Sequence, residues 1–207
     1  MVDTSVRVAD AHFTAPVDDS SMDLTPATVT AARREYPDRQ ALAAVERDHL
    51  EMLPRAFAEG DFGWRDAEWV VQWYYRRDLG AFPDETRRER EGTYGENDYE
   101  AVEAAIRGAV GADGAAAKLE HLTTLSGVGV PVGSAFLQFI EPDDYVVVGE
   151  REWTVLRAAG ELDGDYPAPP SVQEYEHYLD ACRTVADRCD SDPRAVYRAL
   201  WVLGRES

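Results

Sequence analysis

The residues with the sharpest chemical potential form one short run, Leu125-Ser126-Gly127-Val128-Gly129-Val130. Its pattern reads as helix, tight turn, helix. Gly127 and Gly129 permit positive φ and close approach of another backbone. A helix opening directly after the turn would leave free N–H groups beside the positive end of its dipole, a setting suited to a phosphate. Gly127, Val128, Gly129 and Val130 are therefore candidate phosphate-binding residues. Leu125 and Val128 would pack the two helices together, and Gly133-Ser134-Ala135 would keep the second helix slim.

A second zone runs from Trp73 to Arg90. It carries five arginines against four acids in an otherwise acidic chain. Trp73, Tyr75, Arg76, Arg77, Arg87 and Arg88 combine rings for base stacking with guanidinium groups for phosphate, so they are candidate nucleic-acid contacts. The alternative is that the tryptophans are core and the arginines pair with nearby acids. His12, His49, His121 and His177 show no zinc-like spacing. Cys182 and Cys189 are seven residues apart, about 10 Å along a helix. That is too far for a disulfide and fits two buried thiols.

The pattern L-x-G-h-G, matched by Leu125-Ser126-Gly127-Val128-Gly129, resembles the helix-hairpin-helix family. The similarity to its DNA glycosylase superfamily extends over about residues 119–160, through Phe136–Ile140, Tyr145–Val148, Val155-Leu156 and Gly160. The wider chain is similar to archaeal and bacterial proteins with a Trp-rich helix upstream and an Ala199-Leu200-Trp201 element near the end. The resemblance implies an all-α, glycosylase-like multi-helix bundle, DNA as partner and a link to DNA repair. It also implies a monovalent cation, K+ or Na+, at the carbonyls of Leu125 and Val128.

The departures from that family matter equally. Its catalytic aspartate falls on Gly149, and the lysine of its lyase members falls on Pro131. Neither residue can activate water or form a Schiff base. Two cysteines cannot supply a four-cysteine iron–sulfur cluster. No catalytic residue is expected, with Glu150 as the one candidate substitute acid. Three readings stay open: a DNA-binding protein without base excision, a divergent glycosylase using Glu150 or another acid, and a protein-interaction scaffold without nucleic acid.

The whole chain holds 40 acids against 21 bases, a net charge of −19. Lys118 is the only lysine. Acids spread evenly beside arginine in place of lysine resemble haloarchaeal proteins, which work in multimolar salt. There the Debye length is about 3 Å at 1 M, so the net charge does not exclude a DNA partner. The 44% apolar content argues for a packed core. No apolar run is long enough for a membrane span, and no signal peptide is evident, so a cytoplasmic location is expected.

The elements that must position these residues read as helices. Residues 1–24 read as an N-terminal arm with a strand-like stretch at Ser5–Val8. Residues 25–207 read as one all-helical domain, with the hairpin at 115–140. Thr25-Pro26 starts a helix that Pro37 should stop. Asp38 should cap the next, with Pro54 as its kink or end. Asp66–Arg77, a helix capped by Asn97, Ala115–Thr124, Pro131–Ile140, Arg151–Ala159, Ser171–Arg188 and Pro193–Leu203 complete the set. Asp78–Gly95 reads as a long loop or lid. Tyr145–Val148 is the one other strand-like run.

Overall fold

A computed structural model describes residues 22–78 and 80–204, which form ten helices and no strand. In chain order these are α1 (Pro26–Arg39), α2 (Ala43–Glu59), α3 (Trp64–Arg76), α4 (Asp84–Tyr94), α5 (Tyr99–Gly111), α6 (Gly114–Leu122), α7 (Val130–Ile140), α8 (Glu150–Ala158), α9 (Val172–Arg188) and α10 (Pro193–Leu203). The all-α bundle expected from the sequence is present. The strand-like stretch at Ser5–Val8 lies outside the described residues. Leu24, assigned to the arm, is buried, and its carbonyl receives the Cys189 thiol at 3.5 Å.

Side-chain caps set three of the starts. Thr25 accepts from the Thr28 N–H, Ser171 from Glu174 and Asp192 from Ala195. Pro37 and Pro54 do not act as stops. Each sits inside its helix, α1 or α2, and each costs one i→i−4 hydrogen bond. Burial offsets that loss: Val29, Ala32 and Tyr36 seat α1 on α10, and Leu50, Leu53 and Phe57 anchor α2. Neither Asp38 nor Asn97 is an N-cap. Leu42 and Asp98 hold those positions.

The segment expected to be a loop between Asp78 and Gly95 contains α4. Only Tyr94 of this helix is buried. Ion pairs hold the rest, centred on Glu91, whose carboxylate receives Arg76 Nε and Nη2 at 3.0 Å each and Arg87 Nη1 at 3.2 Å. Helix α3 is packed by α4, α5 and α7. Its residues Val70, Val71, Trp73, Tyr74 and Tyr75 are all buried.

The hairpin helices α6 and α7 lie close, as expected. A β-carbon at Gly133 would sit 2.7 Å from Leu119 Cδ2. After α7 the chain runs extended and buried through Tyr145–Val148 but pairs with no strand. Side chains satisfy its backbone instead. Gln138 Oε1 accepts from Val147 N–H and Ser134 Oγ from Val148 N–H. The hydroxyls of Tyr175 and Tyr178 donate to the carbonyls of Val146 and Val147, each at 3.1 Å. This clamp fixes where α8 begins. No helix among the described residues is long and apolar enough to cross a membrane.

Candidate functional site

A cleft of about 1060 Å³ lies against the hairpin. Its walls come from the hairpin turn, the end of α3, the connection before α4 with Arg90 of α4, the first turn of α8 and the connection before α9. The sequence placed the hairpin and the Trp73–Arg90 zone far apart in number. The fold brings part of that zone, Tyr75 and Arg77, onto the same cavity as Gly127, Val128 and Gly129.

The turn itself is tightly determined. Val128 N–H donates to the Leu125 carbonyl at 3.1 Å, leaving that oxygen a second lone pair. Asn97 clamps Ser126 from both sides, accepting its N–H at 2.9 Å and donating to its carbonyl at 3.0 Å. Gly127 has φ +77°, and a β-carbon there would lie 2.9 Å from Tyr94 N. The backbone that Gly127 admits is thus the protein's own, at the end of α4. Gly129 does not use a left-handed conformation: its φ is −90°, and it is exposed. Leu125 and Val128 are buried and pack the hairpin as expected.

Two helix N-termini open on this cleft. Helix α7 starts from Gly129 and α8 from Gly149, and neither glycine offers a side-chain cap. The first-turn amides have no intrahelical acceptor. In α7 these include Val130 and Val132, since Pro131 has no N–H. In α8 they include Glu150 and Arg151. Glu150 lines the cleft and is exposed in that first turn.

The cleft floor holds a buried ion pair that sequence reasoning missed. Arg77 Nη1 donates to Glu152 Oε1 at 2.6 Å and to the Tyr197 hydroxyl at 3.1 Å. The Arg77 side chain is 7% exposed and Glu152 is fully buried. The rings of Trp73, Tyr74 and Tyr197 lie within 6 Å of the guanidinium carbon. Burial works against the charge on Arg77, but the neighbouring Glu152 carboxylate prevails and raises its pKa. Burial also pushes the Tyr74 hydroxyl up to about 12. Glu152 Oε2 has no hydrogen-bond partner among the described residues. One signal for this pair was available: Glu152 stands three residues after Gly149, at the N3 position of α8.

The pair also explains Gly149. A β-carbon there would collide with Arg77 Nη2 and lie 2.5 Å from Glu152 Oε2. The aspartate expected by resemblance at this position has no room, and a carboxylate reaches the cleft from Glu152 instead.

The remaining candidates are spread out. Trp73 is 1% exposed and packs edge-on against Phe139, so its ring faces the core. Tyr75 is buried and interacts through its hydroxyl with Arg90. Arg76 and Arg87 carry Glu91. Arg76, a candidate contact, is neutralised by Glu91 of α4, as the alternative reading of paired arginines expected. Arg88 is exposed on α4. Arg151 is held by Asp78 at 2.7 Å and stacks 4.4 Å over the Trp201 ring. Cys182 and Cys189 are buried free thiols on α9 and its C-cap. Among the described residues no cluster of His, Cys, Asp or Glu is arranged to hold a metal. No family model, no curated protein and no solved structure matches this chain.

Proposed function

We propose that this chain is a DNA-binding protein that grips a backbone phosphate at the hairpin lip and lacks the usual devices of base excision. The observation that carries the reading is the convergence of two bare helix N-termini on one cleft. Gly129 and Gly149 leave the first turns of α7 and α8 without side-chain caps. Their free amides and dipoles favour an anion at the cleft lip, most of all at α7, since Glu150 and Glu152 place carboxylates in the first turn of α8. Helices α2, α4, α5 and α6 also lack a side-chain cap, and α7 and α8 differ from them in opening on the cleft.

Within the hairpin, the Gly129 and Val130 amides are the phosphate donors, because Ser126 and Val128 donate inside the protein. Arg90, exposed on α4 and lining the cleft, is a cation available to such a phosphate. Among the arginines read as contacts, Arg88 alone remains a direct candidate. Arg76, Arg77 and Arg87 instead shape the site through Glu91 and Glu152. The Leu125 and Val128 carbonyls are the atoms that would hold a monovalent cation. Gly149 and Pro131 supply neither a carboxylate nor an amine for excision.

A fluorescence-anisotropy titration of a labelled duplex in molar potassium chloride tests the reading. Wild type binds, and Arg90→Glu weakens binding without lowering the melting temperature. No binding at any salt concentration overturns the reading.

One observation favours a second reading, a divergent DNA-processing enzyme. The cleft facing the hairpin does contain a buried carboxylate, Glu152, with one oxygen bound to Arg77 and one without a partner. This, and not the exposed Glu150, is the acid placed for chemistry. Base release from lesion-bearing DNA that disappears in Glu152→Gln would select this reading.

A further inference from the structure

Helix α4 and the residues just before it border the cleft, yet the hydrophobic core barely holds them. Within α4 only Tyr94, at the C-terminal end, is buried. Polar contacts fasten the rest to α3. Glu91 receives Arg76 Nε and Nη2 at 3.0 Å each, and Arg87 Nη1 reaches the same carboxylate at 3.2 Å. Arg90 bonds the Tyr75 hydroxyl, and the half-buried Phe82 ring stands edge-on to Tyr75 at 5.4 Å. Arg90, Phe82 and Tyr75 all line the cleft, so residues 81–94 screen Tyr75 within it. Gly92 lies in the last turn of α4, between Glu91 and the buried Tyr94. A β-carbon there would meet nothing within 4 Å, so no neighbour requires a glycine, and it weakens the helix at that point. Few buried apolar contacts and docking by charge mark an element that opens locally before the molecule unfolds.

We propose that residues 81–94 form a lid on the cleft, anchored at Tyr94 and latched by Glu91, which opens while the bundle stays folded and so controls entry. The inference goes beyond the DNA reading, because the latch governs access to the cleft and not what the cleft receives. The anchor lets the lid move while the hairpin turn keeps its shape. Tyr94 backs Gly127, and its carbonyl accepts from Asn97 Nδ2 at 2.7 Å, the same side chain that clamps Ser126. Opening breaks the Glu91 and Arg90 contacts to α3, lifts Phe82 from Tyr75 and leaves the Tyr75 hydroxyl open to solvent.

Hydrogen exchange of the free protein in molar potassium chloride, read by mass spectrometry, tests the lid. Amides of residues 84–91 should exchange roughly tenfold or more faster than those of α3 and α7. Glu91→Gln should speed that exchange roughly fivefold and leave α3 and α7 unchanged. Gly92→Ala should slow it. Nitration of Tyr75 by tetranitromethane reads opening in the cleft itself. It should rise by a similar factor in Glu91→Gln, with the fully buried Tyr175 unmodified in both proteins. Exchange in α4 as slow as in α3 overturns the lid, as does a Glu91→Gln variant that speeds all helices alike. Unchanged Tyr75 nitration in Glu91→Gln also overturns it, because α4 would then fray without uncovering the cleft. None of these measurements uses DNA, so the DNA reading stands or falls by its own titration.

Discussion

Replacing Gly127 with alanine separates a turn shaped by the protein from one shaped by a ligand. The residue has φ +77°, which costs an L-residue about 1–2 kcal/mol. The added methyl would also sit 2.9 Å from Tyr94 N and 3.3 Å from Tyr94 Cα. Those are backbone atoms anchored by a buried tyrosine, so α4 must shift. Overpacking of that kind costs about 1–3 kcal/mol. The total is about 2–5 kcal/mol, and the melting temperature should fall by roughly 4–20 °C for a chain of this size. Gly129→Ala is the internal control. That glycine has φ −90°, and the nearest atom to a new methyl is Pro131 Cδ at 3.8 Å. Its melting temperature should move by only about 1–2 °C. The assay is thermal unfolding by circular dichroism in molar potassium chloride. Equal shifts for the two variants would refute the packing of α4 onto the turn.

Three other predictions concern the charges and the core. Glu152→Ala strands Arg77 in a buried site and should cost about 3–5 kcal/mol in denaturant unfolding, whereas Arg76→Ala at the half-exposed Glu91 pair should cost about 1 kcal/mol or less. Similar losses for both would contradict the difference in burial. Stability should fall as pH rises from 9 to 12, because burial holds the Cys182 thiol and the Tyr74 hydroxyl protonated up to about 12, while the unfolded chain releases those protons from 9.0 and 10.0. Below that window these two groups contribute no slope, and a flat profile above pH 9 would count against their burial. Folding should weaken in millimolar salt, where a net charge of −19 repels itself unscreened. An unchanged or higher melting temperature at low salt would sink that expectation.

Helical periodicity and cap residues made most of the bundle legible from the residues alone. Helices α7, α8 and α10 begin and end within about a residue of expectation, because apolar spacing and start signals such as Asp192-Pro193 agree there. Helix α4 was not legible. Its sequence, Asp84–Tyr94, has one buried side chain and no apolar stripe, and ion pairs to Arg76 of α3 help to hold it in place. Pro37 and Pro54 misled for the opposite reason: tertiary burial outweighs the lost hydrogen bonds. In the site, the turn at Gly127–Gly129 was visible because its pattern is local. The Arg77–Glu152 pair was not, since its partners are 75 residues apart and each looks like an ordinary surface charge. Tyr75 was read as a nucleic-acid contact, yet it is buried on α3, so only its cleft-facing edge remains available.

Phosphate binding at the N-termini of α7 and α8 is the central claim. Amide chemical shifts of the nitrogen-15-labelled protein, recorded while a short DNA strand is added in molar potassium chloride, test this directly. The largest changes should fall on Gly129, Val130, Glu150 and Arg151, with Ser126 and Val128 moving less because their N–H groups already donate inside the protein. Shifts confined to other surfaces, or none at saturating DNA, would contradict the account.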